Sequence, residues 1–436
     1  MFRNPHHRTI LGIWLGWAIL IVGYHILLPA RLTVLPPDRA LPWTREETMP
    51  GSQKEKLYLN EPFLNRHVAW DSEFYLAIAV GGYEDPNVNR IRSGFESTSS
   101  GGGYWPFVIP AESIQRPGIS LSYAFFPFYP MMIRLFSIPL SLIGMNPIAT
   151  ASLAGVIVSL LGTLAAMIAL YEFASAEMDE SAGIRAAFYL IIFPSAFFLT
   201  EIYTEGLFVG LAFTSLLLLR RGHRGWAAAV AVLATFTRAA GITLAVPLLI
   251  SWIKDAEWLE LDMEWRQIYY RGFPWRVVRN GLVAAAPIIA FFLWRVSYYG
   301  LAFDLVEQEF FGRELLNLGF TFIAWKEGFQ EIFSRNPHAS AYYIVEWLGI
   351  IIGFTACIVG FKRHPDLAIF GFLVVFLSFT SGPAQGMYRY VLGAPPVFLF
   401  LSRLGKNPVF DRAWTIISVL IMGMMSAMYM FDMWAG

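Results

Sequence analysis

The sequence predicts an all-α protein that crosses a membrane many times, and three observations carry that expectation. Of its 436 residues 56% are apolar and only 15% charged, against roughly 45–50% and about 25% in soluble domains. The apolar excess is gathered into nearly uncharged stretches, three of which (10–28, 148–170 and 413–431) are long enough to span outright. A spanning helix needs about 20 apolar residues, because lipid offers backbone polar groups no partner. Finally, Lys and Arg collect at intervals beside short loops, as they do on the cytoplasmic side of polytopic proteins. An ordinary soluble enzyme is excluded.

Taken in order, the first apolar stretch exceeds a signal-peptide core and has no small-residue cleavage site, so residues 1–30 read as a retained anchor. Residues 31–121 are the one long polar insertion, with a Ser-rich run and Gly101-Gly102-Gly103 marking a flexible part, and read as the first extracytoplasmic loop. Residues 122–436 form the multi-spanning region. Shorter uncharged cores follow at 186–199, 206–219, 226–237, 239–253, 281–294, 347–361, 367–380 and 390–402. Cores this short extend into polar flanks or sit within a bundle that shields their ends.

Arg3 and Arg8, Arg220, Arg221 and Arg224, Arg266, Arg271, Arg276 and Arg279, Lys362 and Arg363, and Arg403, Lys406 and Arg412 all fit the cytoplasmic side. That leaves 200–205, 299–340, 381–389 and the C-terminal tail outside. The 299–340 stretch has six acidic and three basic residues, as an outside loop should. Parity then allows only one span across 122–170. Because 122–144 contains Pro127, Pro130, Arg134 and Pro139, it reads as a re-entrant or in-plane segment. The expected architecture is a bundle of about 11 transmembrane helices.

The 32 basic and 32 acidic residues balance, which gives nucleic acid no electrostatic footing. A single cysteine, Cys357, excludes an intrachain disulfide and a cysteine metal cage. No internal repeat is visible, which weakens a secondary-transporter reading.

Chemistry is sought where ionisable residues meet apolar surroundings. In the first loop, Trp70, Phe74, Ala77, Ile78 and Gly81 share one face of a helix, as an interfacial helix would arrange them. Asp71 falls on the side of His67 and Tyr75, with Glu73 pointing roughly 200 degrees away at about 100 degrees per residue. Asp71 suits a general base at the lipid interface, or a helix cap. His67 with Asp71 makes a weak divalent-metal pair lacking a third ligand, so no metal cofactor is required.

The segment Thr200-Glu201-Ile202-Tyr203-Thr204-Glu205 places two acids at an outward junction, where ionisable groups are costly unless they face protein or water. Glu205 also fits the N-terminus of a helix, where the dipole favours an acid. Arg238 and Arg389 lie outside against the charge bias, and Arg134 sits in the proline-bearing segment. Arginine there either snorkels to headgroups or grips phosphate through its planar fork. Acids, arginines and aromatics beside hydrocarbon fit a lipid-linked phosphate substrate.

The ordered set Trp70-Asp71 with Ile78-Ala79 and Gly82-Tyr83, then Ala124-Phe125-Phe126-Pro127-Phe128-Tyr129-Pro130, Tyr203-Thr204-Glu205, Thr237-Arg238 with Gly241, and Tyr388-Arg389-Tyr390 with Pro395 and Pro396 resembles the PIG-V mannosyltransferases. These belong to the GT-C superfamily of multi-spanning glycosyltransferases. The resemblance runs over about residues 60–400 and is most specific in its first two motifs.

It implies transfer of a hexose, mannose in that family, from a polyprenyl or dolichyl phosphate to a glycan or glycolipid acceptor, with inversion. Asp71 corresponds to the acid of the first extracytoplasmic loop and Glu205 to a second acid that begins a helix after a proline break. Trp70, His67, Tyr129, Arg134, Glu201, Arg238 and Arg389 are the candidate substrate-binding residues. Ser72-Glu73 departs from the usual residues after Trp-Asp, and no retention signal is legible. Those features point to a bacterial relative in the plasma membrane, with the endoplasmic reticulum as the eukaryotic equivalent and the site on the extracytoplasmic face. A flippase or transporter of lipid-linked sugars is the alternative.

Overall fold

The structure is a computed structural model that describes residues 5–34, 37–54, 56–91, 118–255 and 275–436. Arg3, the Ser-rich run with Gly101, Gly102 and Gly103, Arg266 and Arg271 lie outside the described residues. Among the described residues the architecture is helical, apart from a two-residue antiparallel pair that sets Arg90 opposite Ser120 and Ile91 opposite Ile119.

Among the described residues four helices are long and apolar enough to cross a membrane: α1 (Pro5–Arg31), α4 (Pro147–Glu177), α13 (Pro337–Gly360) and α16 (Pro408–Met430). A fifth span is available if α9 (Trp275–Ala284) and α10 (Ala286–Arg295), bent by 58°, are one broken helix. The other apolar cores form shorter helices, among them α5 (Glu180–Ile192), α6 (Glu205–Arg220), α7 (Arg224–Thr237), α8 (Ala245–Asp255), α14 (Pro365–Phe379) and α15 (Pro395–Leu404). Of the roughly 11 spans expected, four or five among the described residues meet the length a bilayer requires by themselves. Each of the shorter ones has an exposed end, at Glu180, Arg220, Trp226, Lys254, Pro365 and Leu404.

Helix starts follow local chemistry. Asn146, Asn336 and Asn407 each accept backbone N–H bonds at the head of α4, α13 and α16, with proline at the next position. Proline there lacks only an N–H that the helix leaves unpaired anyway. Beside the C-termini of α4 and α13 and the head of α16, Glu177 accepts from Arg403 and His364, and Asp366 pairs with Arg220 at 2.7 Å. These contacts gather the residues assigned to the cytoplasmic side.

The central helix α4 crosses α6 on a seam of glycines. A Cβ at Gly162 would strike the Gly206 backbone, and one at Gly210 would strike Gly162. The backbones touch because no side chain separates them, the device lipid-embedded helices use to associate. Gly162→Leu is therefore expected to cost at least the 1–3 kcal/mol typical of overpacking. Thermal unfolding of the purified protein in detergent checks this, and an unchanged midpoint would refute the seam.

The proline-bearing segment folds as α3 (Phe128–Leu140), 13 residues and so too short to span, turned by Gly144 at φ 82° into α4. One face packs on α4 through Tyr129 and Ile133, while Met131, Leu135 and Ile138 are exposed.

Two expectations change. The helix after Trp70-Asp71 is α2 (Ser72–Val80), and it is buried on nearly all sides, with Ser72, Glu73 and residues 75–79 all inside. Its expected single apolar face becomes a core element against α3 and α4. The 299–340 stretch is not a simple loop either: it builds α11 (Tyr298–Glu309) and α12 (Leu318–Glu331).

Candidate functional site

The first loop and the helical bundle enclose a cavity of about 1380 Å³, and its walls include Trp70, Asp71, Arg238, Arg313 and Arg389. Asp71 stands at the head of α2, immediately after Trp70, whose φ of 52° is left-handed. A non-glycine residue in that region is strained and is held by its surroundings. Several clamps do so here. The Asp71 N–H donates to the Tyr203 hydroxyl at 3.2 Å, and that hydroxyl donates to Ala69 O. Tyr429 bonds Ser72 Oγ, and Ile202 N–H donates to His67 O.

Arg389 reaches the same point from a loop fixed by a buried acid. Glu346 on α13 accepts the backbone N–H groups of Gly386, Met387 and Tyr388 at 2.6, 2.6 and 3.1 Å. The φ of 73° at Gly386 makes this turn possible. Arg389 Nη1 then lies 3.9 Å from Asp71 Oδ2, and its Nε lies 3.0 Å from Glu205 Oε1. Arg238, just past α7, donates to the same Glu205 oxygen at 2.7 Å. Arg313, in the turn between α11 and α12, donates to the Tyr390 hydroxyl at 2.9 Å. Tyr390 is thus framed by three guanidinium groups, with Arg238 above its ring at 4.4 Å.

Three arginines face Asp71 and Glu205, leaving a surplus positive charge. Glu307 on α11 adds only part of a negative charge near neutral pH, because burial pushes its carboxyl up to about 7 against the pull of Arg313. Burial also raises Asp71 above the usual carboxylate range, with Arg389, Arg313 and Arg238 pulling the other way. An arginine-lined wall with the partly exposed Asp71 carboxylate beside it can bind a phosphate and take up a proton there.

Of the residues singled out from sequence, Trp70, Asp71, Arg238 and Arg389 line the cavity, and Glu205 lies behind them, joined through both arginines. Tyr129 is buried in the α3–α4 contact, its hydroxyl 2.9 Å from Ser159 Oγ, and Arg134 is exposed on α3; neither lines the cavity. His67 does not share a helix face with Asp71, because the left-handed turn at Trp70 breaks the chain between them.

Instead His67 and Glu201 form a separate buried cluster with His25 of α1. His67 Nδ1 and His25 Nε2 each lie 3.0 Å from a different Glu201 oxygen. The donor set of this trio would suit a divalent ion, since one ligand atom from each lies within 4.8 Å of the others. The ring geometry fits less well. The imidazoles stack at 4.2 Å and only 12° from parallel, so their nitrogens point side by side at one carboxylate rather than toward one ion. The trio reads as a hydrogen-bonded clamp between α1, the Asp71 loop and the segment before α6.

Sequence reasoning missed Arg313, Glu307 and Glu346. Arg313 sits in an acid-rich stretch and Glu346 interrupts an apolar core, the single local signal either offered.

Glu73 also lines the cavity, nine-tenths buried and without a hydrogen-bond partner among the described residues. Burial pushes its carboxyl up to about 7 from an ordinary 4.5. Between those values the folded protein holds a proton that the unfolded chain has lost, so stability falls as pH rises through that window. Glu73→Gln is expected to gain about 3 kcal/mol over wild type at pH 8 and nothing at pH 4. Thermal unfolding at both pH values checks it, and a gain independent of pH would refute the buried acid.

No curated protein matches the chain. Among solved structures, the chain is similar to the oligosaccharyltransferase of Archaeoglobus fulgidus. The apo form matches at 12% identity and a TM-score of 0.44, over 98% of this chain and 56% of that one. The same organism's AglB, in complex with an inhibitory peptide and a dolichol-phosphate, matches at 13% identity and 0.41, over 97% and 55%. The chain therefore spans about half the length of these structures. The family model described as mannosyltransferase (PIG-V) matches residues 113–299, a stretch that holds Glu205 and Arg238 but stops short of Asp71 and Arg389. The resemblance carried by the ordered motifs is matched over residues 113–299, which is less than half of the chain.

Proposed function

We propose that this protein is a membrane hexosyltransferase that moves mannose from a polyprenyl or dolichyl phosphate to a glycan or glycolipid on the extracytoplasmic face, with inversion. The observation that carries the reading is the approach of Asp71 to three guanidinium groups in one cavity.

In the reaction the acceptor hydroxyl attacks the anomeric carbon from the face opposite the phosphate. Asp71 takes the hydroxyl proton as the new C–O bond forms. The bond from the anomeric carbon to the phosphate oxygen breaks, and its electron pair leaves with the lipid phosphate. Arg389, Arg313 and Arg238 offset the charge that collects there, while Glu205 holds two of them in place. Aromatic surface at Phe126, Phe291 and Phe303 continues the cavity along α10 and α11. Exposed Phe292 and Leu293 beside it make this the entry expected for a polyprenyl tail.

The test is purified protein with radiolabelled dolichyl-phosphate mannose, followed for release of dolichyl phosphate and appearance of a mannosylated product. Movement of the intact donor across vesicles without a new bond would favour a flippase and overturn this reading. A glycan missing one hexose in a deletion strain, found by mass spectrometry, would identify the acceptor.

A further inference from the structure

Arg389 is followed by a side chain to which the reaction above gives no part. Tyr390 ends the short turn Met387–Tyr390 ahead of α15, and it lines the cavity with Asp71, Arg238, Arg313 and Arg389. Its hydroxyl accepts hydrogen bonds from Arg313 Nη1 at 2.9 Å and Arg389 Nη2 at 3.4 Å. Around its ring, the guanidinium carbons of Arg238, Arg389 and Arg313 stand 4.4, 5.2 and 5.9 Å from the centre. Both bonds to the phenol oxygen therefore come from cations, and among the described residues no oxygen takes its O–H in return.

The acids nearby are committed elsewhere. Glu205 at the head of α6 is held by Arg238 and Arg389, and Asp71 faces Arg389. Glu346 of α13 grips the backbone of 386–388, and Glu307 of α11 faces Arg313. Asp366, the acid of α14, pairs with Arg220. The phenol thus lacks an acceptor and is ringed by cations, so the partner that completes it is an anion with a free oxygen. A phosphate is such a group, whereas a sugar hydroxyl would leave the cations unanswered. As the bond from the anomeric carbon breaks, charge grows on the phosphate oxygen, and a neutral O–H aimed there binds it more strongly. Burial pushes the phenol up, yet Arg313, Arg389 and Arg238 together bring it down to about 8. At neutral pH it still holds its proton, and it is a stronger donor than an ordinary tyrosine.

We propose that Tyr390 is a further catalytic residue, whose hydroxyl donates a hydrogen bond to the departing phosphate oxygen of the donor, within the cage of Arg238, Arg313 and Arg389. The proton stays on the phenol throughout, and no bond to Tyr390 forms. This rests on the glycosyltransferase reading and adds a neutral donor to its cationic clamp.

The experiment uses the full chain in detergent with radiolabelled dolichyl-phosphate mannose, followed for release of dolichyl phosphate across a pH series. In the wild type kcat/KM for the donor is expected to fall as pH rises through about 8, because a phenolate has no proton to donate. Tyr390→Phe, which keeps the ring among the arginines, should lose about tenfold or more below that pH and show no such basic limb. Arg313→Gln should move the limb to higher pH, since a charge that favours the phenolate is gone; a merely structural tyrosine would leave no limb to move. A second measurement needs no turnover. Ultraviolet difference titration of wild type against Tyr390→Phe should reveal one phenol ionising near 8, and dolichyl phosphate should shift it upward by about one pH unit or more. If Tyr390→Phe does not elute as folded protein, the limb in wild type and its movement in Arg313→Gln decide the matter. A rate within twofold of wild type with the same basic limb in Tyr390→Phe, a limb unmoved in Arg313→Gln, or a phenol titration that dolichyl phosphate leaves in place would overturn the role of Tyr390 and leave the enzyme reading standing. A donor left intact by wild type with every acceptor, water included, would overturn both.

Discussion

Asp71→Asn is expected to lower sugar transfer by about 10²–10⁴-fold, the range lost when a positioned general base is removed, while the protein still folds and inserts. Asparagine keeps the shape of the side chain and the hydrogen bond from the Asp71 N–H to Tyr203, which is a backbone contact. It cannot accept the acceptor's proton. Burial sets the carboxyl above its ordinary 3.8, so in the wild type the acid limb of kcat/KM should lie above that value, with activity lost as pH falls through it. Turnover of the radiolabelled donor across a pH series reads both effects. Near-wild-type turnover by the variant, or an acid limb at or below 3.8, would remove Asp71 from the reaction.

The second large effect is expected at Arg389. It is buried, within 3.9 Å of Asp71 and 3.0 Å of Glu205, and Arg389→Ala removes a positive charge from the place where the phosphate would leave. Loss of one preorganised donor of this kind costs about 10²–10³ in rate. The variant should lose that in kcat/KM for the donor and raise the donor KM. Arg389→Lys should recover only part, because a lysine cannot span Glu205 and a phosphate with one planar fork. The measurement is initial rate against donor concentration, and an unchanged donor dependence would defeat the assignment. Part of the loss in Arg389→Ala comes from Glu205, which keeps only Arg238 as a partner; Glu205→Gln in the same background separates the two.

Much of the fold was legible because membrane burial writes itself into local sequence. The spans at 10–28, 148–170 and 413–431 emerge as α1, α4 and α16, each extended by a few residues to a cap or a charge. The prolines of 122–144 fall in the segment that folds as the 13-residue α3. Asp71, Arg238 and Arg389 could be picked out because each stands out against apolar surroundings. Tyr129 and Arg134 stood out for the same reason, yet one packs against α4 and the other is exposed on α3, so local contrast alone does not tell a site from a contact.

What the sequence by itself determined was the class of protein and a short set of unusual charges, since hydropathy and charge placement act over tens of residues. The tertiary structure decided which of those charges meet. Arg313 lies in an acidic stretch that read as loop, and it joins Arg389 only because Tyr390 bridges them. His25, hidden in the first apolar stretch, turns out to share Glu201 with His67. Trp43 and Trp434 come from nearly opposite ends of the chain to make one corner with Trp70. These meetings depend on how helices and loops stack, and that packing has no period in the sequence.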